Sequence, residues 1–590
     1  MGVTGMFKLL KKMRKQEILM SICCVLLLLG QIYFDLKMPD YMSELTVFIG
    51  TAGVELSSVL KTGLNMLLCA LASAVLCIMC GYLTSKIASG FTYVIREDLF
   101  EHITGLGQEE MMRFSVPSLI TRTTNDITQI QMVIAMGLQT LIKSPVMALW
   151  AVEKILGKSR ELSLVTAVFV VIICVFITVI VSSVIPRFRI VQRLTDKINK
   201  VARENLSGIN VVHAFNAEDY QNKKFDETNA KINKTQIKNQ HVFAAMQPFM
   251  NLSMNSLSLC IFWLGAALIS SIPAASQTAR LTMFSDVVVF STYATYVVMS
   301  FMMLVMIFMM MPAAEVSAER INQVLETEPK IREGRVEKGK ETGTVEFKNV
   351  TFRYPDAADD ELTDISFKVN KGETLAVIGS TGSGKTTLIS MIARFYDAAS
   401  GQVLVDGVDV RDYSFKGLYD KLGYVTQKAV LFSGSIKDNV AFGQSETEIS
   451  DEAVERAISL AQAQEFVQKL EGKTLFNIAQ GGRNVSGGQK QRISIARALA
   501  RNAEILIFDD SFSALDYRTD AALRAALAAE LADTTKIIVA QRISTIRNAD
   551  RILVMEDGKI IGNGRHEELM ENCSVYREIA LSQLSKSELQ

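Results

Sequence analysis

The sequence has no excess of charge of either sign. Its 62 lysine and arginine residues balance 62 aspartate and glutamate residues over a length of 590. Proteins that bind nucleic acid through its phosphates commonly carry a basic surplus on one face. The balanced charge gives no reason to expect a nucleic-acid partner, and we expect none.

Histidine and cysteine are too few and too scattered to indicate a metal site. Of the eight cysteines, Cys77 and Cys80 form a C-x-x-C pair, but the pair lies in an apolar segment and no second pair accompanies it. Thiols in such a segment are typical of buried apolar side chains rather than metal ligands. The four histidines are His102, His213, His241 and His566.

Long hydrophobic runs are abundant, and they are concentrated before residue 315. A helix needs about 20 apolar residues to cross a bilayer. The third candidate span is the least clear because it contains Lys143, Glu153 and Lys154, and we expect Lys143 to lie at the membrane interface. The six predicted spans are 18–34, 64–83, 134–156, 162–185, 252–272 and 287–311.

Basic residues between Lys8 and Lys15 precede the first span. The positive-inside rule therefore predicts a cytoplasmic N-terminus, and an even number of spans predicts a cytoplasmic C-terminus. Residues 1–16 are predicted to form an amphipathic elbow helix on the membrane surface. No small-residue cleavage site follows the first span, which argues against a signal peptide. We expect a multi-pass protein of the cell (inner or plasma) membrane, with the lipid bilayer as a partner.

Residues 379–387 read Gly-Ser-Thr-Gly-Ser-Gly-Lys-Thr-Thr. This is the complete pattern G-x-x-x-x-G-K-[ST], a loop whose backbone N–H groups cradle phosphates. The apolar run 374–378 precedes it and the helix-prone stretch 388–395 follows, so the strand–loop–helix context is present. The motif predicts a nucleoside triphosphate site but by itself leaves kinases, GTPases and motors open.

A second motif, Val485-Ser486-Gly487-Gly488-Gln489, excludes most of those alternatives. Together the two motifs resemble the nucleotide-binding domain of the ATP-binding cassette (ABC) transporters. The resemblance covers 342 to about 585, and its signature differs from the usual one only by valine in place of leucine. It extends to the apolar run 505–508 ending in Asp509 and to the D-loop 513–516.

The resemblance implies ATP and Mg²⁺ as cofactors and a role for each motif residue. Lys385 would neutralise the β- and γ-phosphates, and Tyr354 would stack on adenine. Thr386, Gln427 and Asp509 would hold Mg²⁺ and its water. The glycines would let the backbone approach the phosphates. The other predicted ATP contacts of the P-loop are Gly379, Ser380, Thr381, Gly382, Ser383, Gly384 and Thr387.

The signature residues are expected to serve a different ATP molecule. Ser486, Gly487, Gly488 and Gln489 would present a hydroxyl group and N–H groups at a helix N-terminus, which favours an anion. In the family this second anion site contacts the ATP held by the other cassette. A single cassette therefore cannot complete a site, and a second ABC half-transporter is expected as partner.

Two residues depart from the family pattern, and both affect hydrolysis. Asp510 stands where the family has a catalytic glutamate, and Gln541 stands where it has a histidine. The shorter side chain withdraws its carboxylate by about one bond, and a misplacement of about 1 Å can cost on the order of 100-fold in rate. Glutamine cannot carry positive charge. Asp510 and Gln541 are therefore the predicted catalytic positions of a degenerate site that binds ATP well and hydrolyses it slowly.

The remaining architecture also follows the resemblance. Six spans and one cassette match the exporter branch, and short transverse coupling helices are expected near 117–124 and 208–219. The predicted fold class is multi-domain, with a six-helix all-α transmembrane domain before an α/β P-loop NTPase domain. The predicted segments are an elbow 1–16, a transmembrane domain 17–315, a linker 316–341 and a nucleotide-binding domain 342–590.

The sequence thus predicts an ATP-hydrolysing exporter subunit that moves a small, apolar or amphipathic molecule by alternating access. A heterodimer with one competent site fits the departures best. Two alternatives stay open: a homodimeric exporter with slow ATPase, and an ATP-gated channel or regulatory subunit. The transported substrate cannot be inferred from the spans.

Overall fold

The structure, a computed structural model, describes residues 4–583 except 52, 157, 274–275, 356 and 444–448. The ends of the predicted elbow and of the predicted nucleotide-binding domain, 1–3 and 584–590, lie outside the described residues. The chain forms two units. One continues to Thr104 and resumes over Pro117–Thr327, and the other comprises Gly105–Val116 and the chain from Glu328 onward. The division near residue 327 falls inside the predicted linker.

The first unit is helical throughout its described part. Most of its helices are far longer than the roughly 20 residues that a bilayer requires. A π-helical turn, Arg122–Asp126, joins α5 to α6. The helices of this unit are α1 (Thr4–Leu10), α2 (Lys15–Gly50), α3 (Leu56–Thr104), α5 (Val116–Thr121), α6 (Ile127–Leu156), α7 (Arg160–Ser207), α8 (Ile209–Ala214), α9 (Glu218–Ser271) and α10 (Gln277–Leu325); α4 (Gln108–Phe114) belongs to the second unit.

Among the described residues, six helices are long and apolar enough to cross a membrane. The third candidate runs unbroken over Val116–Leu156, so the polar residues that obscured it in the sequence do not end the helix. The six candidates confirm the predicted all-α transmembrane domain. They are Lys15–Gly50, Leu56–Thr104, Val116–Leu156, Arg160–Val184, Glu218–Ser271 and Gln277–Leu325.

The core of the helical unit forms around Tyr293 of α10, which is fully buried. Its ring packs among apolar side chains of α2, α6 and α9, such as Ile32, Met147 and Leu257. Its hydroxyl donates to the backbone oxygen of Leu36 at 2.9 Å, which satisfies a polar group that would otherwise be costly to bury.

Helix α1 packs against α10. The carboxylate of Glu315 accepts from the backbone N–H groups of Gly5 at 2.6 Å and Met6 at 3.1 Å, while Asn322 donates to the oxygen of Gly5. A carboxylate at a helix N-terminus accepts from N–H groups that have no partner within the helix, and its negative charge interacts favourably with the helix dipole. Gly5 and Met6 of the predicted elbow are therefore anchored to α10.

The second unit is an α/β fold with two main sheets. The four-stranded sheet has the order β2-β1-β4-β5, and the six-stranded sheet has the order β12-β11-β3-β10-β9-β6. A small two-stranded sheet pairs β7 with β8. The strands are β1 (Val345–Phe352), β2 (Leu362–Val369), β3 (Thr374–Gly379), β4 (Ser400–Val405), β5 (Val408–Asp409), β6 (Leu422–Val425), β7 (Gly434–Ser435), β8 (Asn477–Ile478), β9 (Ile505–Asp509), β10 (Thr535–Val539), β11 (Arg551–Glu556) and β12 (Lys559–Gly564).

Further helices accompany these sheets. The ones that matter most for the site are α11, which follows β3, and α16, which begins at the second motif. With the helical first unit they confirm the predicted fold class. The helices that the structure describes after Glu328 are α11 (Lys385–Ile392), α12 (Phe415–Tyr419), α13 (Ile436–Val440), α14 (Asp451–Leu460), α15 (Gln464–Lys469), α16 (Gly487–Ala500), α17 (Tyr517–Glu530), α18 (Ile543–Ile546), α19 (His566–Asn572) and α20 (Ser574–Gln583).

The parallel strands bring distant parts of the chain together. Strand β10 pairs in parallel with both β3 and β9, with Val539 opposite Val377 on one side and Asp509 on the other. The carboxyl ends of parallel strands meet at one edge of a sheet, which is where open α/β sheets bind ligands. The loops that follow Gly379, Asp509 and Val539 therefore share that edge.

Helix α4 packs within the nucleotide-binding unit although it lies early in the chain. Glu109 pairs with the side chain of Lys330, and Glu110 accepts from the backbone N–H of Lys330 at 3.2 Å. The hydroxyl of Tyr396 lies 3.7 Å from the sulfur of Met112. The first coupling helix was expected near 117–124, so the segment that contacts this unit lies earlier in the chain than predicted.

Candidate nucleotide-binding site

The P-loop adopts a conformation that only glycine supports without strain. Gly382 and Gly384 have φ of 84° and 89°, and Gly384 is the N-cap of α11. A Cβ atom at Gly379 would lie 2.2 Å from the backbone oxygen of Met555. The motif glycines are thus required here by backbone conformation and by close packing.

Lys385 folds back over its own loop. Its Nζ donates to the backbone oxygens of Gly379 at 3.0 Å and Ser380 at 2.5 Å and to the hydroxyl of Ser383 at 3.2 Å. Burial lowers the pKa of this ammonium group, while the nearby Asp510 and Asp509 partly offset the effect. A phosphate group would supply the negative charge that this half-buried cation lacks.

Ser380 and Thr381 line a cavity of about 270 Å³ beside the end of β3. Gln541, Met555 and Ile579 line it as well. Gly379 lines it too, so the cavity joins three of the predicted ATP contacts to the predicted catalytic position Gln541.

Thr386 and Asp509 meet as the predicted magnesium site requires. The Thr386 hydroxyl donates to Asp509 Oδ1 at 3.1 Å, and the Asp509 side chain is buried at the end of β9. Burial raises the pKa of this carboxyl, the neighbouring Asp510 raises it further, and the Thr386 hydrogen bond and Lys385 oppose the rise. A bound cation would relieve that cost.

The donor set fits Mg²⁺. In the described part of the chain no three His, Cys, Asp or Glu side chains form a metal-binding group. Mg²⁺ commonly needs only one or two carboxylates when substrate phosphates and waters complete its shell. Thr386, Asp509 and the amide oxygen of Gln427 would hold the ion, which would neutralise charge on the phosphates when bound.

The two residues that depart from the family pattern contact each other. Gln541 Nε2 donates to Asp510 Oδ2 at 3.0 Å. Asp510 also has φ of 45°, which is uncommon for a residue other than glycine. The pKa of its carboxyl is raised, because the effect of burial outweighs the opposing effects of Gln427, Ser513, Lys385 and Arg542.

The loop that carries Gln541 is held by a residue that sequence reasoning missed. Gln583, the last residue of α20, donates to the backbone oxygen of Gln541 at 2.8 Å and accepts from the backbone N–H of Ile543 at 2.8 Å. The amide thus bridges both sides of the turn after β10. No motif marks Gln583, because a lone glutamine at a helix end has no distinctive spacing.

Tyr354 lies beside the P-loop helix. Its hydroxyl lies 2.9 Å from that of Thr387, and its ring meets Phe352 and Tyr396 edge to face at 4.9 Å and 5.3 Å. The contact with Thr387 brings this aromatic to the loop, as an adenine-stacking residue would need, and that role stays a prediction.

The signature motif lies on a separate element. Ser486 is the N-cap of α16 and forms a capping box with Gln489: its hydroxyl accepts from Gln489 N at 3.3 Å, and Gln489 Oε1 accepts from Ser486 N at 2.9 Å. Ser486 and Gly487 are exposed. A Cβ at Gly488 would lie 3.3 Å from the backbone oxygen of Ala514 in the D-loop. The N-terminus of α16 thus presents an open anion site next to the D-loop.

The predicted residues therefore form two groups. One group lies at the strand ends, where hydrogen bonds or electrostatic interactions connect its members: Lys385, Thr386, Asp509, Asp510 and Gln541. The signature residues form the other group, at the start of α16.

Comparisons with known proteins agree with this arrangement. The family model "ABC transporter transmembrane region" matches residues 19–301, and the family model "ABC transporter" matches residues 362–513. An uncharacterized ABC transporter ATP-binding protein of Mycobacterium tuberculosis is 37% identical over 93% of this chain and 93% of its own length.

Two further relatives are similar over most of the chain. A protein of Pseudoalteromonas translucida named ATP-dependent lipid A-core flippase is 30% identical, covering 86% of each chain. A bacterial Atm1-family ABC exporter, solved with ATP bound, superposes with a TM-score of 0.80 at 22% identity, covering 97% of this chain and 100% of that chain. The motifs, the strand-end geometry and these similarities together establish that the chain belongs to the ABC transporter family, as an ATP-hydrolysing transporter whose membrane and cassette regions share one polypeptide.

Proposed function

We propose that this chain is the degenerate-site subunit of a heterodimeric exporter. Its own P-loop binds ATP and hydrolyses it slowly, and its signature motif completes the competent site of a different half-transporter. The observation that carries the proposal is the hydrogen bond between Gln541 and Asp510. The groups at the two proposed hydrolytic positions are a short carboxylate and an uncharged amide, and each is hydrogen-bonded to the other.

The contacts of the two residues support a binding role for this site. Asp510 lies on a strained backbone, so its carboxylate has little freedom to advance toward a γ-phosphate. Gln541 can hydrogen-bond a phosphate but cannot stabilise charge as an imidazolium would. Lys385, Thr386 and Asp509 keep the side chains that ATP and Mg²⁺ need, so binding is retained while hydrolysis is slow.

The open signature site supports the role toward a partner. Ser486 and the first N–H groups of α16 are already ordered by the capping box. Such preorganised donors at a developing anionic charge are a large source of rate enhancement. A partner carrying glutamate and histidine at the equivalent positions would supply the groups that this chain lacks.

The transport cycle follows from differential nucleotide binding. ATP held between the two cassettes favours one conformation of the spans, and hydrolysis at the competent site restores the other. Export of a small apolar or amphipathic molecule across the cell membrane, with both termini in the cytoplasm, fits the six candidate spans. The similarity to a protein named as a lipid A-core flippase is consistent with an amphipathic substrate.

The decisive experiment restores the missing hydrolytic groups. The double variant Asp510→Glu/Gln541→His, in complex with its partner, should gain hydrolysis at this chain's own site. Single-turnover hydrolysis should be measured with the partner's own site inactivated. The matched control, Asp510→Asn/Gln541→His, supplies the imidazole without the carboxylate and should stay slow.

Assembly is tested separately. Mass spectrometry of the native, detergent-purified complex should find a second, different half-transporter. A complex containing only this chain, with brisk ATPase, would contradict the heterodimer. A homodimer with slow ATPase is the competing hypothesis, and the same measurement identifies it.

A further inference from the structure

A charged pair connects two of the candidate membrane-spanning helices. Lys143 of α6 lies 3.2 Å from Asp35 of α2, and the Ser73 hydroxyl of α3 donates to the other oxygen of Asp35 at 2.5 Å. Ser73 is the one polar residue in the segment 66–80. Apolar helix therefore extends about 10 Å to either side of it. At α3 the pair therefore lies beside the middle of an apolar segment, while on α2 Asp35 directly follows the predicted span 18–34. The expected interfacial position of Lys143 stays a prediction.

Charged side chains that pack among membrane-spanning helices are costly to bury. They are rare in such segments, and they typically mark a ligand or ion pathway. The two side chains are not sealed by packing, since Asp35 and Lys143 retain 19% and 25% exposure. Lysine has three donors, and Asp35 is the one hydrogen-bond acceptor for Lys143 in the described part of the chain. The ammonium group can therefore bind a further acceptor.

Polar and apolar groups continue along the same face of α6. One turn before Lys143, Gln139 donates to Thr84 of α3 at 2.9 Å. Met136 and Met132 follow at helical spacing and are 47% and 40% exposed. Flexible thioether side chains adapt to apolar ligands of varied shape. This face, which we name the α6 strip, comprises Lys143, Gln139, Met136 and Met132, with Asp35 beside its charged end.

The charge balance of the pair selects the class of ligand. A ligand with one charge would take one member of the pair and leave the other unpaired in an apolar setting, which is strongly unfavourable. A ligand with both charges replaces both partners at once. Its cation would meet Asp35 and its anion would meet Lys143. Its apolar tail would lie along Met136 and Met132.

We propose that Asp35 and Lys143, with the α6 strip, form a binding site for a zwitterionic amphiphile. The site gives the substrate class of the proposed exporter, and it rests on that function for its biological meaning. A second pair, Lys154 with Asp40, joins the same two helices, α6 and α2. Asp40 is additionally held by the hydroxyl of the buried Tyr293 at 2.7 Å. The Lys154–Asp40 pair therefore serves the packing of the helices and provides a matched control.

The test is equilibrium binding to the purified transporter complex without nucleotide, so the result does not depend on which site hydrolyses ATP. The probes are three single-chain amphiphiles of equal chain length in an uncharged detergent: an alkyl phosphocholine, an alkyl phosphate and an alkyl trimethylammonium. The unmodified protein should bind the zwitterion roughly tenfold or more tightly than either singly charged probe, because each of those leaves a charge unpaired. Equal binding of all three overturns the proposal.

Variants identify the residues. Asp35→Asn and Lys143→Met should each weaken zwitterion binding by roughly tenfold, whereas Lys154→Met should change it by less than about twofold. The exchange Asp35→Lys/Lys143→Asp keeps an ion pair and should keep the melting temperature. It should not restore binding, because it reverses the order of charges relative to the tail. Wild-type affinity in Lys143→Met or in the exchanged variant overturns the proposal.

A competition experiment distinguishes the two possible sources of the amphiphile. A diacyl phosphatidylcholine that displaces the single-chain probe identifies a membrane phospholipid as the ligand. A diacyl lipid that fails to displace it identifies a soluble single-chain amphiphile. Both results require the zwitterion preference to hold first.

Discussion

The P-loop and the signature motif both lie at helix N-termini and are both proposed anion sites, yet they differ in how much of the site this chain supplies. At the P-loop, its own residues fill the site: Lys385 bonds to Gly379, Ser380 and Ser383, and Thr386 bonds to Asp509. At the signature, Ser486 bonds to Gln489 of the same capping box, and its outer surface is exposed. The first loop thus places its proposed phosphate and magnesium side chains together within one chain. The second is proposed to serve a ligand held by a partner chain.

The comparison also separates binding from hydrolysis. The side chains proposed to contact phosphate and magnesium are present at the P-loop, while Asp510 and Gln541, the two proposed hydrolytic positions, bond to each other. In the proposed heterodimer the signature needs no catalytic side chain of its own, because its donors would act on a reaction whose base belongs to the partner. We therefore expect substitutions at the exposed motif to cost more activity than substitutions at the chain's own strand ends.

The largest expected effect comes from Ser486→Arg. The bulky cation would occupy the anion site at α16 and remove a capping hydroxyl. Steady-state ATPase of the complex with an unmodified partner should fall by roughly 10²–10³-fold, the cost of losing a preorganised oxyanion donor. Transport should be lost in parallel.

A matched control tests whether the loss is only that of a helix cap. Ser450 is the N-cap of α14 and accepts from the N–H of Ala453, as Ser486 does for α16. Ser450→Arg should lower stability by a similar amount, roughly 0.5–2 kcal/mol, and leave ATPase nearly intact. Equal loss of ATPase in both variants would contradict a nucleotide role for the signature.

Lys385→Ala should have the next largest effect, and on binding. Removing a charge-assisted phosphate contact should weaken ATP at this chain's own site by about 1.5–3 kcal/mol. Photo-crosslinking with labelled ATP, followed by separation of the two subunits, reports the loss on this chain alone. Lys371→Ala, at a lysine of the same unit before β3, is the control. Unchanged labelling in Lys385→Ala would remove Lys385 from the site.

Asp510→Ala should have a much smaller effect on steady-state ATPase than Ser486→Arg. The carboxylate serves a site that is already slow, and its loss leaves the partner's competent site intact. Both variants should be assayed at saturating ATP with the same unmodified partner. An ATPase loss as large as that of Ser486→Arg would mean that this chain's own site is catalytic.

The smallest expected effect is a gain in stability from Asp509→Asn in the nucleotide-free protein. Burial raises the pKa of Asp509, so the folded state disfavours its ionised form. For a carboxyl with a raised pKa, the folded state binds more protons than the unfolded state, and stability falls as pH rises through the interval between the two values. A neutral amide at this position avoids the fall, so the variant should melt at a higher temperature near pH 7.

The pH dependence of that gain provides the check. Below about pH 4 aspartate is protonated in both states, and the advantage of the variant should disappear. Thermal melts across this range, with the unmodified protein in parallel, measure it. A variant that is less stable at pH 7 would contradict the cause we assign to the shift. The same variant should bind Mg²⁺-ATP more weakly.

Much of the nucleotide site could be predicted from local sequence. The P-loop pattern contains its own turn chemistry, since Gly382 and Gly384 occupy positive φ and α11 starts at Lys385. The apolar run before Asp509 is a fully buried strand, and Ser486 with Gln489 is a capping box readable at a spacing of three. Each of these signals lies within a few neighbouring residues, so no long-range contact is needed to detect it.

Other features had no local signal. Gln583 bridges the turn at Gln541 and Ile543 from a distant helix. The segment of α4 that packs beside Lys330 was placed too late in the chain, because amphipathic helix patterns do not reveal their partner. The pairing of Lys143 with Asp35 was not predicted, because Asp35 lies on another helix, outside any local window of sequence.

The family, the six long apolar segments and the residue types at the proposed phosphate and magnesium contacts could all be inferred from local sequence. These follow from hydrophobic run length and from backbone requirements that only particular residues meet. The tertiary structure alone decided that Gln541 bonds to Asp510, that Gln583 holds their turn, and that Lys143 pairs with Asp35 between apolar helices. The physical reason is that pairing energies depend on distance and burial, and parallel strands or packed helices bring together residues that the chain keeps far apart.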